Sequence, residues 1–168
     1  MELRLATIED AEAIRSIYNL EVETSTVTFD LVPRTLLEQQ DWIANRSGVH
    51  AVVVAVSSAG IIGFGSLSPY KDRPAYSTTV EDSVYIHREH QGEGVGRAVL
   101  SELLRLSEHH GFHAVMARIV GGHAASIGLH SSLGFQLIGR EREVGRKFGK
   151  WLDVVIMEHL VGVADRFT

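Results

Sequence analysis

Eleven residues, HQGEGVGRAVL from His90 to Leu100, hold the densest cluster of chemically suggestive types in the chain. Gly92, Gly94 and Gly96 alternate, and Arg97 follows just as the residues become helix-forming. Glycines let backbone N–H groups come close to a ligand, and a helix N-terminus favours an anion. Arg97 adds a cation. The stretch is a candidate phosphate cradle, the alternative being a tight strand-to-helix turn with no ligand. It is not a P-loop, which needs Lys-Ser/Thr where Arg97-Ala98 stand. Nor is it a dinucleotide fingerprint, because the spacing is G-x-G-x-G and it lies mid-chain after a hairpin pattern.

The elements around it follow from hydrophobic periodicity. ELRLAT alternates as a strand, and a helix starting at Thr7 places Ile8, Ala11, Ile14, Ile17, Tyr18 and Val22 on one face. TSTVTFDLVP, residues 24–33, breaks that period and predicts loop or extended chain. Pro33 sets up a second helix, RTLLEQQDWIANR, ending near Gly48. HAVVVAV and IIGFGSLSPY form a hairpin around SSAG. YKDRPAYSTTVED predicts a loop and SVYIH the next strand, so that Glu81 and Asp82 stand just before it. After the glycines, Val95, Val99, Leu100, Leu103, Leu104 and Leu106 make a helix face closed by Gly111. HAVMARIV is a strand, HAASIGLHSSLG a short helix ended by Gly134, and FQLIGRERE and LDVVIMEHL are strands around the turn VGRKFGKW. The order β-α-α-β-β-β-α-β-α-β-β predicts a mixed α/β sandwich in one domain, residues 1–168.

Composition narrows the function classes. A net charge of −5 argues against nucleic-acid binding by bulk positive charge. With no cysteine, disulfides, thiolate catalysis and cysteine metal sites are excluded. No apolar run reaches the ~18 residues of a membrane span, and the charged N-terminus lacks a signal peptide's apolar core. The expectation is a soluble, cytoplasmic protein without membrane contact. The histidines in HREH and HH lack H-E-x-x-H spacing and a matching carboxylate cluster, so no metal is expected.

Gln91-Gly92-Glu93-Gly94-Val95-Gly96 after a strand resembles the Q/R-x-x-G-x-G/A acetyl-CoA signature of the GNAT superfamily of N-acetyltransferases, and SIGLHSSLGF resembles that family's helix before its sixth strand. Together with STVTFD, YKDRPAYSTTVEDSVYIHREHQGEGVG and VGRKFGKWLDVV, the chain resembles the phosphinothricin and methionine sulfoximine acetyltransferases. The resemblance implies the GNAT fold, a mixed and mostly antiparallel central sheet flanked by helices. It implies an acetyl-CoA-dependent enzyme, typically a homodimer, that acetylates the α-amino group of a small amino-acid-like acceptor by direct attack in a ternary complex.

It also implies roles. Glu81 matches the proposed general base, its alternative being a strand-end carboxylate paired with Arg73 or Lys71; Asp82 is the second candidate. His130 stands where many members carry a Tyr thought to protonate the departing thiolate; a histidine there serves as acid or base, or packs and caps. Val84, Tyr85 and Ile86 match the strand beside the pantetheine, residues 91–96 and Arg97 the pyrophosphate turn, and Ser126 a helix position near CoA. His123 replaces the usual Asn and either donates to CoA or caps the helix. Phe29, Lys71, Arg73, Ala75 and Tyr76 match the acceptor pocket, where a guanidinium suits a carboxylate. Two rivals stand beside this reading: the same transfer to a protein N-terminus, lysine or polyamine, and a CoA-binding regulatory module without turnover.

Overall fold

The computed structural model describes residues 1–46 and 48–162. Seven strands, β1 (Glu2–Leu5), β2 (Val52–Ser57), β3 (Gly60–Pro69), β4 (Thr79–Ile86), β5 (Ala114–Val120), β6 (Gln136–Lys147) and β7 (Lys150–Leu160), form one sheet in the order β1-β2-β3-β4-β5-β7-β6. Four helices complete the α/β fold: α1 (Ala11–Thr24), α2 (Leu36–Ala44), α3 (Val95–His109) and α4 (Ala124–Ser132). The predicted element order is the one observed. All pairings are antiparallel except β4 with β5.

Each helix forms for a local reason. Ala11, Ile14, Ile17, Tyr18 and Val22 line the buried face of α1, but Ile8 falls in a preceding 3-10 turn and is exposed. α2 starts later than the proline predicts. Thr35 is its N-cap, and the Thr35 hydroxyl and Glu38 carboxylate satisfy each other's backbone N–H groups. In α3, Val95, Val99, Leu100 and Leu103 repeat at helical spacing on the buried side. α3 lies close over β3, where a Cβ on Gly65 would stand 2.6 Å from Val99 and 2.9 Å from Leu103.

The sheet separates two cores. Val80, Val84, Ile86, Val115, Ala117 and Ile119 pack beneath α3 and α4. Phe64 and Tyr85 pack with α1 on the opposite face. Strand alternation therefore assigns even-numbered residues of β4 to the α3/α4 face and odd-numbered ones to the α1 face. On β5 the odd residues lie toward α3 and α4.

Two boundaries correct the sequence expectation. β4 begins at Thr79, so Glu81 and Asp82 lie inside the strand rather than before it. β6 and β7 run through most of the expected turn, leaving Phe148 and Gly149 between them. Phe148 and Gly149 take φ of 50° and 74°, the left-handed conformation of so short a connection.

Candidate active site

β4 and β5 run together for only three residue pairs, Thr79–Ala114, Val80–Val115 and Glu81–Met116. Beyond them β4 stays bonded to β3 as far as Ile86, and β5 to β7 as far as Val120. The strands part, and a cavity of about 440 Å³ lies between residues 82–86 and 117–120. Val84, Tyr85 and Ile86 line it.

The glycine turn closes one end of this cleft. Gly92 and Gly94 have φ of 80° and 83°, a backbone that a residue with a Cβ adopts only under strain. Ala98 N–H to Gly94 O, at 3.1 Å, is the bond that opens α3, so the N–H groups ahead of it lack intrahelical acceptors. Gly96 instead serves packing: its Cβ would lie 3.2 Å from Leu129 on α4. Gln91, Gly92, Gly94, Gly96 and Arg97 are on the cavity wall. Arg97 donates to Ser132 Oγ at 2.9 Å. Glu93 is exposed and off the wall, its Oε2 3.0 Å from His90 Nδ1, and the Val95 side chain is buried in the core. Neither side chain is placed to touch a ligand in the cleft; their backbone remains part of the turn.

α4 forms the neighbouring wall. His123 is its N-cap, with Nδ1 accepting from Ser126 N–H at 3.0 Å, and it also lines the cavity. His130, one helical turn beyond Ser126, is 4% exposed. Its Nδ1 lies 2.8 Å from Ser126 O and its Nε2 3.0 Å from Asp82 Oδ2. A carbonyl only accepts, so Nδ1 carries a proton, and Nε2 donates to the carboxylate. Burial pushes the imidazole pKa down. The hydrogen bond and charge of Asp82, with the Ser126 carbonyl, outweigh it and leave the pKa above its ordinary value. Asp82 Oδ1 is buried without a hydrogen-bond partner among the described residues, on a side chain that lines the cavity.

Glu81 faces the other way. On the α1 side of the sheet its neighbours in charge are Arg118 on β5 and Glu141 on β6. Burial, the dominant effect, raises the Glu81 pKa, and Asp82 and Glu141 add to the rise while Arg118 opposes it. Arg118 grips Glu141 with both arms, Nη2 to Oε2 at 2.6 Å and Nη1 to Oε1 at 3.3 Å. Glu81 is the last residue of the paired stretch and, unlike Asp82 and His130, is not on the cavity wall; it stands at the end of the cleft on the α1 face, while the Asp82–His130 pair lines the cavity from the α4 side.

The expected acceptor residues are only partly assembled. Lys71, Arg73, Ala75 and Tyr76 are all exposed and contribute nothing to the cavity wall. The Lys71 ammonium lies over the rings of Tyr70 and Tyr76, at 4.7 and 5.1 Å. Phe29 is brought to the β6–β7 hairpin, so close that a Cβ on Gly145 would stand 2.2 Å from its ring. Beside it, buried Lys147 donates to Thr28 O at 3.0 Å. The hairpin tip is therefore a clamp on the loop after α1.

Sequence reasoning missed Arg118 and Glu141, and it missed that residues 117–120 wall the cleft. The usable signal was alternation in HAVMARIV, where Arg118 is the charged residue on an otherwise apolar strand. Among the described residues no group of three or more His, Cys, Asp or Glu is placed to hold a metal ion, and no helix is long and apolar enough to cross a membrane.

A family model for the acetyltransferase (GNAT) domain matches residues 3–156. The chain is 35% identical over 158 residues to the L-methionine sulfoximine/L-methionine sulfone acetyltransferase of Pseudomonas aeruginosa, covering 93% of this chain and 92% of that one. It is 34% identical to the phosphinothricin N-acetyltransferase of Streptomyces coelicolor, covering 94% and 95%. The fold superposes with TM-score 0.92 on the crystal structure of a GNAT superfamily phosphinothricin acetyltransferase from Sinorhizobium meliloti in complex with acetyl-CoA, at 36% identity, covering 96% of this chain and 88% of that one.

Proposed function

The chain belongs to the GNAT acetyltransferase family, and from that premise we propose that it acetylates the α-amino group of a small amino-acid-like acceptor in a ternary complex. Its cosubstrate is acetyl-CoA. The observation that supports the acceptor side is the start of the cleft: Glu81 closes the paired stretch of β4 and β5 and faces the α1 side, and from the next residue on the strands part, with the glycine turn and the Asp82–His130 pair lining the cavity between them.

That division suits the chemistry. The free N–H groups of the glycine turn hold an anionic pyrophosphate, and the unpaired edges of β4 and β5 bond to amide groups along the cleft. On the α1 face Glu81 takes a proton from the acceptor ammonium, leaving a lone pair on nitrogen. The new C–N bond forms at the acetyl carbonyl carbon as the C–S bond breaks. The leaving sulfur carries the electron pair toward the α4 face, where the His130 imidazolium offers positive charge, and it takes up the second proton shed by the nitrogen, which leaves a neutral amide and free CoA thiol. In this reading His130 acts through charge and through its hold on Asp82, since both ring nitrogens are already engaged.

A homodimer in the cytoplasm belongs to the same proposal. Leu137, Ile138, Val144, Phe148 and Trp151, all on or beside the β6–β7 hairpin, are each more than half exposed, an apolar surface suited to burial against a second copy. Thiol release from acetyl-CoA, measured against free amino acids, their amides, a polyamine and lysine-bearing or free-N-terminal peptides, tests the acceptor class. Turnover of methionine sulfone or phosphinothricin above the rest is expected; turnover confined to peptides or polyamine, or none with any amine, overturns it. Light scattering in solution tests the dimer.

A further inference from the structure

The amine and carboxylate of an α-amino acid hang from one carbon. A base that takes the amine proton and a cation that holds the carboxylate must then be close neighbours. The loop expected to supply that cation is exposed, and neither Lys71 nor Arg73 is among the charges that act on Glu81, which itself stands just outside the cavity wall. Among the described residues two lysine or arginine side chains line the wall, Arg97 and Arg118. Arg97 sits at the glycine turn, tied to Ser132. Arg118 sits two residues past Met116, the cross-strand partner of Glu81, and on the Glu81 face of the sheet.

Its guanidinium is already arranged for a carboxylate. Glu141 fills the fork in bidentate fashion, and the two side chains are 33% and 37% exposed. Replacing one carboxylate by another in such a fork conserves charge and hydrogen bonds, so the exchange costs little desolvation.

Resting on the acceptor class proposed above, we propose that Arg118 anchors the α-carboxylate of the acceptor and that Glu141 occupies the fork until the acceptor arrives. Arg118 then selects free amino acids over amides and simple amines. Glu141 is a built-in competitor, and its carboxylate gives way as the acceptor enters. The charges facing Glu81 are Asp82 on its own strand, Arg118 on β5 and Glu141 on β6, so comparisons must be made well above the acid limb of the pH profile.

The test is steady-state kinetics of the parent enzyme, Arg118→Gln, Arg118→Lys and Glu141→Gln with methionine sulfone and its α-carboxamide at saturating acetyl-CoA. Arg118→Gln is expected to raise KM for the free acid about ten- to a hundredfold, the worth of a charged hydrogen-bonded pair. KM for the carboxamide and for acetyl-CoA should hardly move. Arg118→Lys should recover part of the loss, and Glu141→Gln should lower KM for the acid. Equal effects on acid and amide, a change confined to kcat, or a higher KM in Glu141→Gln overturns the anchor. A parent enzyme that turns over no amino acid overturns the acceptor class itself, which separates the two failures.

Discussion

His130 Nε2 lies 3.0 Å from Asp82 Oδ2, joining α4 to β4 through a pair whose side chains are 5% and 1% exposed. Glu81, the adjacent residue on β4, points to the other side of the sheet. Removing one member of so buried a pair strands the other. His130→Ala is expected to cost about 3–5 kcal/mol, and Asp82→Ala with His130→Ala less than the sum of the singles. Denaturant unfolding of the three variants checks this. Because the folded imidazole pKa is raised, the pair stabilises the protein fully below the ordinary histidine value. That contribution is lost as pH rises through the folded value. Unfolding measured across that window should show the slope in the parent and lose it in Asp82→Asn.

Glu81 must be ionised to accept a proton, and burial holds its pKa above the usual carboxylate range. Activity should therefore rise with pH through a value higher than that of an exposed glutamate. Glu81→Gln is expected to lower kcat by about 10²–10⁴-fold with little change in KM for acetyl-CoA. Arg118 opposes the rise, so Arg118→Gln should move the acid limb of kcat/KM upward, and Glu141→Gln should move it downward. A pH–rate profile of each variant reads the sign directly.

Gly94 occupies open space, so Gly94→Ala tests backbone conformation alone. With φ at 83° the alanine is strained by about 1–2 kcal/mol. The turn should relax away from its ligand-holding form, raising KM for acetyl-CoA while leaving KM for the acceptor near the parent value. Isothermal titration with acetyl-CoA gives the same answer without turnover.

Gly145→Val puts side-chain atoms where the Phe29 ring lies, and one of the two must move. Overpacking of this kind costs about 1–3 kcal/mol. Lys147→Met removes the bond to Thr28 O from the same clamp. Both changes should raise KM for the acceptor more than for acetyl-CoA, since the loop after α1 lies on the Glu81 face. Thermal melting beside kinetics separates this effect from general unfolding.

The elements were legible because their periods are clean: the apolar positions of α1 and α3 repeat at helical spacing, and the glycine turn advertises its own geometry. The expected donor side of the cleft, with the glycine turn on its wall, followed from that local pattern. The acceptor side did not, for reasons of topology. Glu141 is 23 residues from Arg118 in the chain, and they meet because β7 lies between β5 and β6 in the sheet. The hairpin clamp on Phe29 joins residues more than a hundred positions apart. Asp82 looked like a second strand-end carboxylate until β4 was seen to start at Thr79, which turns it inward toward His130.

The short partnership of β4 and β5 has a consequence for the protein without its substrates. Each strand keeps a stretch of backbone donors and acceptors with no strand opposite, an edge in the interior of the sheet rather than at its rim. An outer edge invites other chains; this one is screened by α3 and α4. A narrow amide-bearing molecule can still enter it. In the binding mode proposed above, acetyl-CoA completes the sheet as a small-molecule strand, and folding and donor binding are then linked. At a hundred times its dissociation constant it should add about 2.7 kcal/mol to the unfolding free energy.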